Sequence, residues 1–310
     1  MGQLLHGTWV EQRVDAGSDE QGRFIRQDAQ FRSWILADGS SPFQPEVGRY
    51  HLYLSAACPW CHRLDVALRL KHLQGVVDVS FVHPLVRDGG WRFRGTAFQD
   101  ALFGYGYAHQ LYTRANPGYT GRVTVPLLWD THTDQPVSNE SSEILRMFDQ
   151  AFGDLAGGPE LYPEAHREAI DAWNDRIYHS VNNGVYRCGF AQTQHAYEEA
   201  FQSLFETLDA IEAHLADREW LVGGQLTEAD LRLFVTLVRF DAVYVGHFRC
   251  NRNRIVDMPG LQGLLERIYA LPGVAETVRM EEIKQHYYQS HRTLNPSGLI
   301  PVGPQLDWLR

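Results

Sequence analysis

With 310 residues the chain has room for two domains with ordinary hydrophobic cores. Hydrophobic residues make up 44% and charged residues 21%, the balance of a soluble globular protein. A formal charge of −10 argues against nucleic-acid binding, and the one basic cluster, Arg249 to Arg254, is too short to reverse that.

That cluster reads instead as a solvated turn or an anion contact. The start, Met1-Gly-Gln-Leu-Leu-His, lacks the basic and apolar segments of a signal peptide, and no run of 18 apolar residues occurs. The expectation is a cytosolic protein with no membrane partner. Its four cysteines, Cys58, Cys61, Cys188 and Cys250, then read as thiols. One close pair and two singles make a poor zinc set, so no metal is expected.

Residues 1–48, rich in Gly, Asp, Gln and Arg with aromatic Phe31, Trp34 and Phe43, read as an extended arm over the body. Tyr50 to Leu54 is an apolar alternating strand. After it come Cys58-Pro59-Trp60-Cys61-His62-Arg63 and a helical face of Leu64, Ala67, Leu68 and Lys71. The strand thus delivers Cys58 to a helix N-terminus, with Pro59 at the first helical position, where its missing N–H costs nothing. There the unpaired backbone N–H groups and the dipole favour the thiolate. Such placements lower a cysteine pKa from about 8.5 to roughly 3.5–7.5. His62 and Arg63 either lend positive charge to that thiolate or face solvent.

Val76 to Val82 is a second strand, so the unit is a parallel βαβ. Residues 84–122 are aromatic and glycine-rich without a clean period, a length of connection that is usually functional or partly disordered. Val123 to Trp129 is a third strand broken by Pro126, which marks either an edge strand or a cis-proline turn entering the strand. Pro136 to Ser138 partners it, and Asn139-Glu140-Ser141-Ser142 opens a helix through Ile144, Leu145 and Phe148. The order β-α-β, long link, β-β-α is a thioredoxin-like pattern.

Gly153 to Pro163 carries the breaker residues of a linker. Beyond it only helical patterns occur, at about 164–179, 195–216, 227–245, 259–270 and 273–289. Asp230 stands in a Thr227-Glu228-Ala229-Asp230 capping signal. The proline-bearing tail from Leu294 should lie extended. The expected fold is an α/β thioredoxin-like N-terminal domain followed by an all-α domain. Their bounds are 49–153 and 164–293, flanked by the arm and by the tail 294–310.

Several features beside the thiol suit glutathione. Thr124-Val125-Pro126 offers the Val125 backbone to a peptide-like ligand in β-augmentation fashion. At the helix start, Ser141 and backbone N–H groups suit a ligand carboxylate, and the Glu140 carboxylate suits an ammonium. Trp91 and Arg94 supply an apolar wall and a guanidinium. Each has a plainer reading. Trp91 then covers the sheet, Arg94 pairs with Asp88 or Asp100, and Glu140-Ser141 is ordinary helix capping.

Over nearly its whole length the sequence resembles the Xi-class glutathione transferases, the glutathionyl-hydroquinone reductases. The resemblance rests on Cys58-Pro59-Trp60, Asn182-Asn183-Gly184-Val185-Tyr186 with Gly189-Phe190-Ala191, and Leu226 to Asp230. It continues in Val238 to Asp241, His247 to Cys250, His286-Tyr287-Tyr288 with Ser290-His291, Asn295-Pro296 and Pro301 to Pro304. It implies the glutathione transferase architecture, an active site between the two domains, glutathione as co-substrate and a homodimer. Cys58 is then the nucleophile, and Trp91, Arg94, Val125, Glu140 and Ser141 hold glutathione. Tyr186 and Tyr287 face a phenolic substrate; Tyr288, next in sequence, points elsewhere. The plain reading of either tyrosine is packing between helices.

The sequence departs from the family at Cys61, where the family usually has alanine. Cys61 is either a resolving thiol for a mixed disulfide at Cys58 or a small buried hydrophobe in place of alanine. It keeps open a glutaredoxin-like or dehydroascorbate-reductase-like activity. A conjugating transferase usually relies on Ser or Tyr at this position, and a binding or regulatory protein on the same scaffold need not keep the nucleophile. Cys188 and Cys250 receive no role.

Overall fold

A computed structural model describes residues 2–11 and 17–309. By contacts it divides into two units. The first comprises Asp28–Gly158 and Arg279–His291 with a small hairpin of β1 (Gln3–Leu5) and β2 (Thr8–Val10). The second comprises Pro159–Val278 with the described parts of Ala16–Gln27 and Arg292–Arg310.

The first unit is built on a four-stranded sheet of β3 (Tyr50–Leu54), β4 (Val77–Phe81), β5 (Leu127–Asp130) and β6 (Gln135–Ser138). The strand order is β4-β3-β5-β6, with β3 and β4 parallel and the other pairs antiparallel. β3 is buried at every residue, and its one polar side chain, His51, is hydrogen-bonded to Ser80 Oγ at 2.8 Å. Its register sets Tyr50 opposite Val77 on one side and Asp130 on the other. β6 tolerates Pro136 because it is an edge strand. That edge is covered by the arm: Ser33 N–H donates to Val137 O at 2.9 Å, and Asn139 N–H to Phe31 O at 3.0 Å.

Helix α1 (Pro59–Leu70) crosses from β3 to β4 and packs on α3 (Ser141–Gln150). A buried ion pair, Lys71–Asp149 at 3.0 Å, ties their far ends. The link 84–122 is not without structure: it holds α2 (His109–Ala115), a helix absent from the sequence reading. Seven residues burying only Leu111 and Tyr112 leave too little periodicity to detect. The third strand starts at Leu127, after a cis Val125–Pro126 bond, so the second of the two proline readings holds. A last helix, α10 (Met280–Ser290), makes its contacts within this unit.

The second unit is helical, with α4 (Arg167–Ile177), α5 (Gly184–Phe190), α6 (Gln194–His214), α7 (Glu228–Arg239), α8 (Val245–His247) and α9 (Pro259–Tyr269). α7 is buried all round. Its start is fixed by Asp230, whose Oδ2 accepts from Thr227 N–H and Thr227 Oγ1–H, both at 2.8 Å, while Oδ1 accepts from Leu221 N–H at 2.9 Å. The predicted helix 227–245 is broken: α7 ends at Arg239 and a wider turn, Phe240–Tyr244, precedes α8. Helix α5, also missed, contains two glycines that weaken the helical signal. Gly189 is required there, since a Cβ would lie 2.3 Å from the Phe248 ring. The last predicted helix begins at Met280 and not at 273, because Gly273 is in the left-handed region at φ +81°.

Candidate active site

Cys58 caps α1 with an extended backbone, φ −78° and ψ 123°, and Pro59 follows at the first helical position. Its thiol donates to Val125 O across 3.7 Å. The residue is 8% exposed, so the sulfur is shielded yet within reach of a ligand laid along the 124–126 loop. The Val125 N–H has no acceptor among the described residues, which leaves a donor for an extended ligand. Cys61 lies one turn further along α1 and is 1% exposed. All four cysteines are thiols.

His62 and Arg63 do not face solvent. Both are buried, and the Arg63 guanidinium sits 4.7 Å over the Trp60 ring. The solvent alternative is therefore discarded.

Glu140 is the N-cap of α3, and its Oε1 accepts from Ser142 N–H at 3.0 Å and Ser142 Oγ–H at 2.8 Å. The plain capping role is thus real, and one carboxylate oxygen performs it. Ser141, buried, opens the helix, and its hydroxyl has no hydrogen bond among the described residues. The helix N-terminus, that hydroxyl and the second Glu140 oxygen remain suited to a zwitterionic ligand.

A residue that sequence reasoning missed joins these parts. Tyr112, fully buried on α2, donates its hydroxyl to Thr124 O at 2.8 Å and accepts from Thr124 N–H at 3.2 Å and Asn139 Nδ2–H at 3.2 Å. It therefore ties the loop entering Pro126 to the residue preceding Glu140. Burial, foremost, and a neighbouring Cys61 raise its phenol pKa. The signal for Tyr112 in the sequence was only an aromatic residue in an unassigned link.

Trp91 is partly buried and stacks on His286, with ring centroids 5.2 Å apart and planes 11° apart. His286 Nδ1 carries its proton, since it donates to Pro84 O at 2.7 Å, and its ring meets Tyr287 edge-on at 5.2 Å. His291 completes the group at 5.5 Å from both. Trp91 and Tyr287 are thereby brought into one aromatic cluster through His286, whose own part the sequence did not reveal. Tyr287 is 1% exposed. Tyr288 is also buried, which raises its phenol pKa.

Arg94 is exposed and forms no ion pair among the described residues. Neither proposed carboxylate pairs with it: Asp100 is buried and accepts from Tyr53 OH at 2.9 Å and from the backbone of Leu102, Phe103 and Tyr105. In the second unit, Tyr186 lies among Phe24, Phe190, Tyr244 and Phe248, with ring centroids 5.3–6.3 Å apart. The Arg26 guanidinium sits 4.9 Å over its ring and donates to Asn183 Oδ1 at 2.7 Å.

Two arginines of the basic cluster are paired with carboxylates, Arg252 with Asp209 and Arg254 with Asp257 at 2.8 Å, while Arg249 donates to Gly189 O at 2.9 Å. Cys188 and Cys250, far apart in sequence, are hydrogen-bonded neighbours; burial chiefly, and Cys188 next, push the Cys250 thiol pKa well up.

Residues 57–151 match the family model for the glutathione S-transferase N-terminal domain and residues 194–267 that for its C-terminal domain. The chain is 48% identical over 307 residues to glutathionyl-hydroquinone reductase PcpF of Sphingobium chlorophenolicum, spanning 98% of this chain and 96% of that one. It is 47% identical to glutathionyl-hydroquinone reductase YqjG of Escherichia coli, over 99% and 96%. The glutathione-bound structure of YqjG superposes with a TM-score of 0.91, covering 100% of this chain and 97% of that one. A Xi-class transferase from Natrialba magadii superposes equally well, at 44% identity over 99% and 94%.

Proposed function

Because the chain belongs to the Xi class of glutathione transferases, we infer that it is a glutathionyl-hydroquinone reductase, an enzyme that removes glutathione reductively from glutathionyl-hydroquinones. The observation that carries this reading is Cys58 capping α1, its sulfur against Val125 O beside cis Pro126. The Cys58 thiolate attacks the glutathione sulfur of the substrate, forming an S–S bond as the carbon–sulfur bond breaks. The electron pair leaves on the aryl carbon, which takes a proton to give hydroquinone. A second glutathione attacks the bound glutathionyl sulfur, regenerates the Cys58 thiolate and departs as glutathione disulfide.

Glutathione, the co-substrate, lies along the 124–126 loop in this proposal. The Val125 backbone holds its peptide edge, the α3 start with Ser141 its carboxylate, and Glu140 its ammonium. Trp91 and Arg94 provide the wall and an anion contact. Tyr186 and Tyr287 hydrogen-bond the phenolic oxygens and lend rings for stacking. No helix among the described residues is long and apolar enough to cross a membrane. We place the enzyme in the cytosol, as its thiol usage suits, and as a homodimer, which light scattering at micromolar concentration tests.

The decisive assay follows free hydroquinone from glutathionyl-hydroquinone in the presence of glutathione. Cys58→Ala should abolish release, and retention of more than a few per cent of turnover would sink the mechanism.

A further inference from the structure

The mechanism above uses one of the two cysteines at the start of α1, and the geometry gives the other a task. Cys58 is the N-cap and Cys61 the third residue of the helix. The Cα separation of the pair is set by the two residues between them, Pro59 and Trp60, both helical. One such turn spans about 5 Å from residue i to i+3. That lies within the ~4.4–6.8 Å window in which a disulfide closes. The turn is formed, since His62 N–H donates to Cys58 O at 2.9 Å.

Cys58 Sγ lies 3.7 Å from Val125 O, on the loop that carries the cis Val125–Pro126 bond. At 1% exposure Cys61 is closed to a dissolved disulfide. The electrophile within its reach is one formed next to it, on Cys58.

We propose that Cys61 is a resolving thiol, so that the protein runs a dithiol cycle beside the route that uses a second glutathione. This deepens the reading of Cys58 as nucleophile and rests on it. With glutathione bound as the Cys58 mixed disulfide, Cys61 gives up its proton and attacks the Cys58 sulfur. The Cys58–glutathione bond breaks, the Cys58–Cys61 bond forms, and glutathione leaves as a thiolate that takes the proton. Two protein thiols are oxidised and the bound glutathione is reduced. Two further glutathiones return the pair to thiols and leave as glutathione disulfide.

The test uses the reduced full chain, freed of glutathione and given one equivalent of glutathione disulfide, with acid quenching and mass spectrometry. The wild type should end lighter by the mass of a hydrogen molecule, with a Cys58–Cys61 disulfide in its peptide map. Cys61→Ala and Cys61→Ser should stop with one glutathionyl group on Cys58. A wild type that keeps that adduct as the variants do overturns the resolving role while leaving Cys58 as nucleophile. Absence of any adduct or disulfide in every form overturns both. The wild-type peptide map decides the matter even if neither variant folds.

Discussion

Tyr112→Phe removes one oxygen and with it the link between the two halves of the proposed glutathione site. The hydroxyl donates to Thr124 O at 2.8 Å and accepts from Thr124 N–H and Asn139 Nδ2–H, each at 3.2 Å. Phenylalanine fills the ring's volume, so no cavity forms and the loss is one of hydrogen bonds. Asn139 keeps a long contact to Thr124 Oγ1 at 3.4 Å, but the Thr124 N–H and C=O lose this partner. An unsatisfied buried group costs about 1–3 kcal/mol, and because Thr124 is only partly buried the two together fall in the lower part of the doubled range, about 2–4 kcal/mol. With a urea dependence near 2 kcal/mol per M, the unfolding midpoint should fall by about 1–2 M. Tyr119→Phe is the control: among the described residues its hydroxyl donates only to Arg122 O, at 3.2 Å, and the loss should cost about 1 kcal/mol. With the Val125 edge no longer pinned to the α3 start, KM for glutathione should rise more than kcat falls. A loss below about 1 kcal/mol with an unchanged glutathione KM would refute the argument that Tyr112 organises the site.

Arg26→Ala removes a cation held 4.9 Å over the Tyr186 ring, a contact of about 0.5–2 kcal/mol. KM for glutathionyl-hydroquinone should rise about twofold to thirtyfold, by that energy, while exchange with a small non-aromatic glutathione disulfide stays as in the wild type; equal effects on both would count against Tyr186 as a substrate contact. Native-state alkylation with iodoacetamide at pH 8 should label Cys58 first. Cys250, its thiol pKa raised chiefly by burial, should react only after unfolding, and early labelling there would contradict its packing against Cys188. Asp230→Ala strips three acceptor contacts from the start of α7 and should cost about 2–4 kcal/mol in chemical denaturation, with a value under about 1 kcal/mol refuting the capping role.

What was legible in the sequence follows the strength of the local signal. The strand Tyr50–Leu54, the Pro59 start of α1 and the Thr227–Asp230 cap each carry their cause within a few residues. The roles proposed for Cys58, Val125 and Glu140 rest on the pattern of residue types that strand, turn and helix start each leave. What sequence reasoning lacked was contact across the chain. Tyr112 sits on a helix too short to show a period, and its partners are 12 and 27 residues away. His286 gains its part from Trp91 and Pro84, about 200 residues upstream. Cys188 and Cys250 look solitary in the sequence because their pairing is made only by the packing of α5 against the turn after α8.

The loop Thr124-Val125-Pro126 bears on both of the proposed chemistries. Thr124 is held from behind by Tyr112, so the loop cannot drift when a ligand pairs with the Val125 backbone. Val125 O meets the Cys58 thiol, so a ligand aligned on that edge brings its sulfur to the nucleophile and not to the buried Cys61. That order matters for a dithiol cycle: the exposed-side cysteine must react first and the shielded one second. Were Cys61 the more accessible, glutathione would add to it and the helix N-terminus would activate the wrong sulfur. An alanine at this position would close the question by removing the second thiol. Here a second thiol stands one turn inside the helix at 1% exposure, so in the proposed cycle it meets only a disulfide already formed on Cys58.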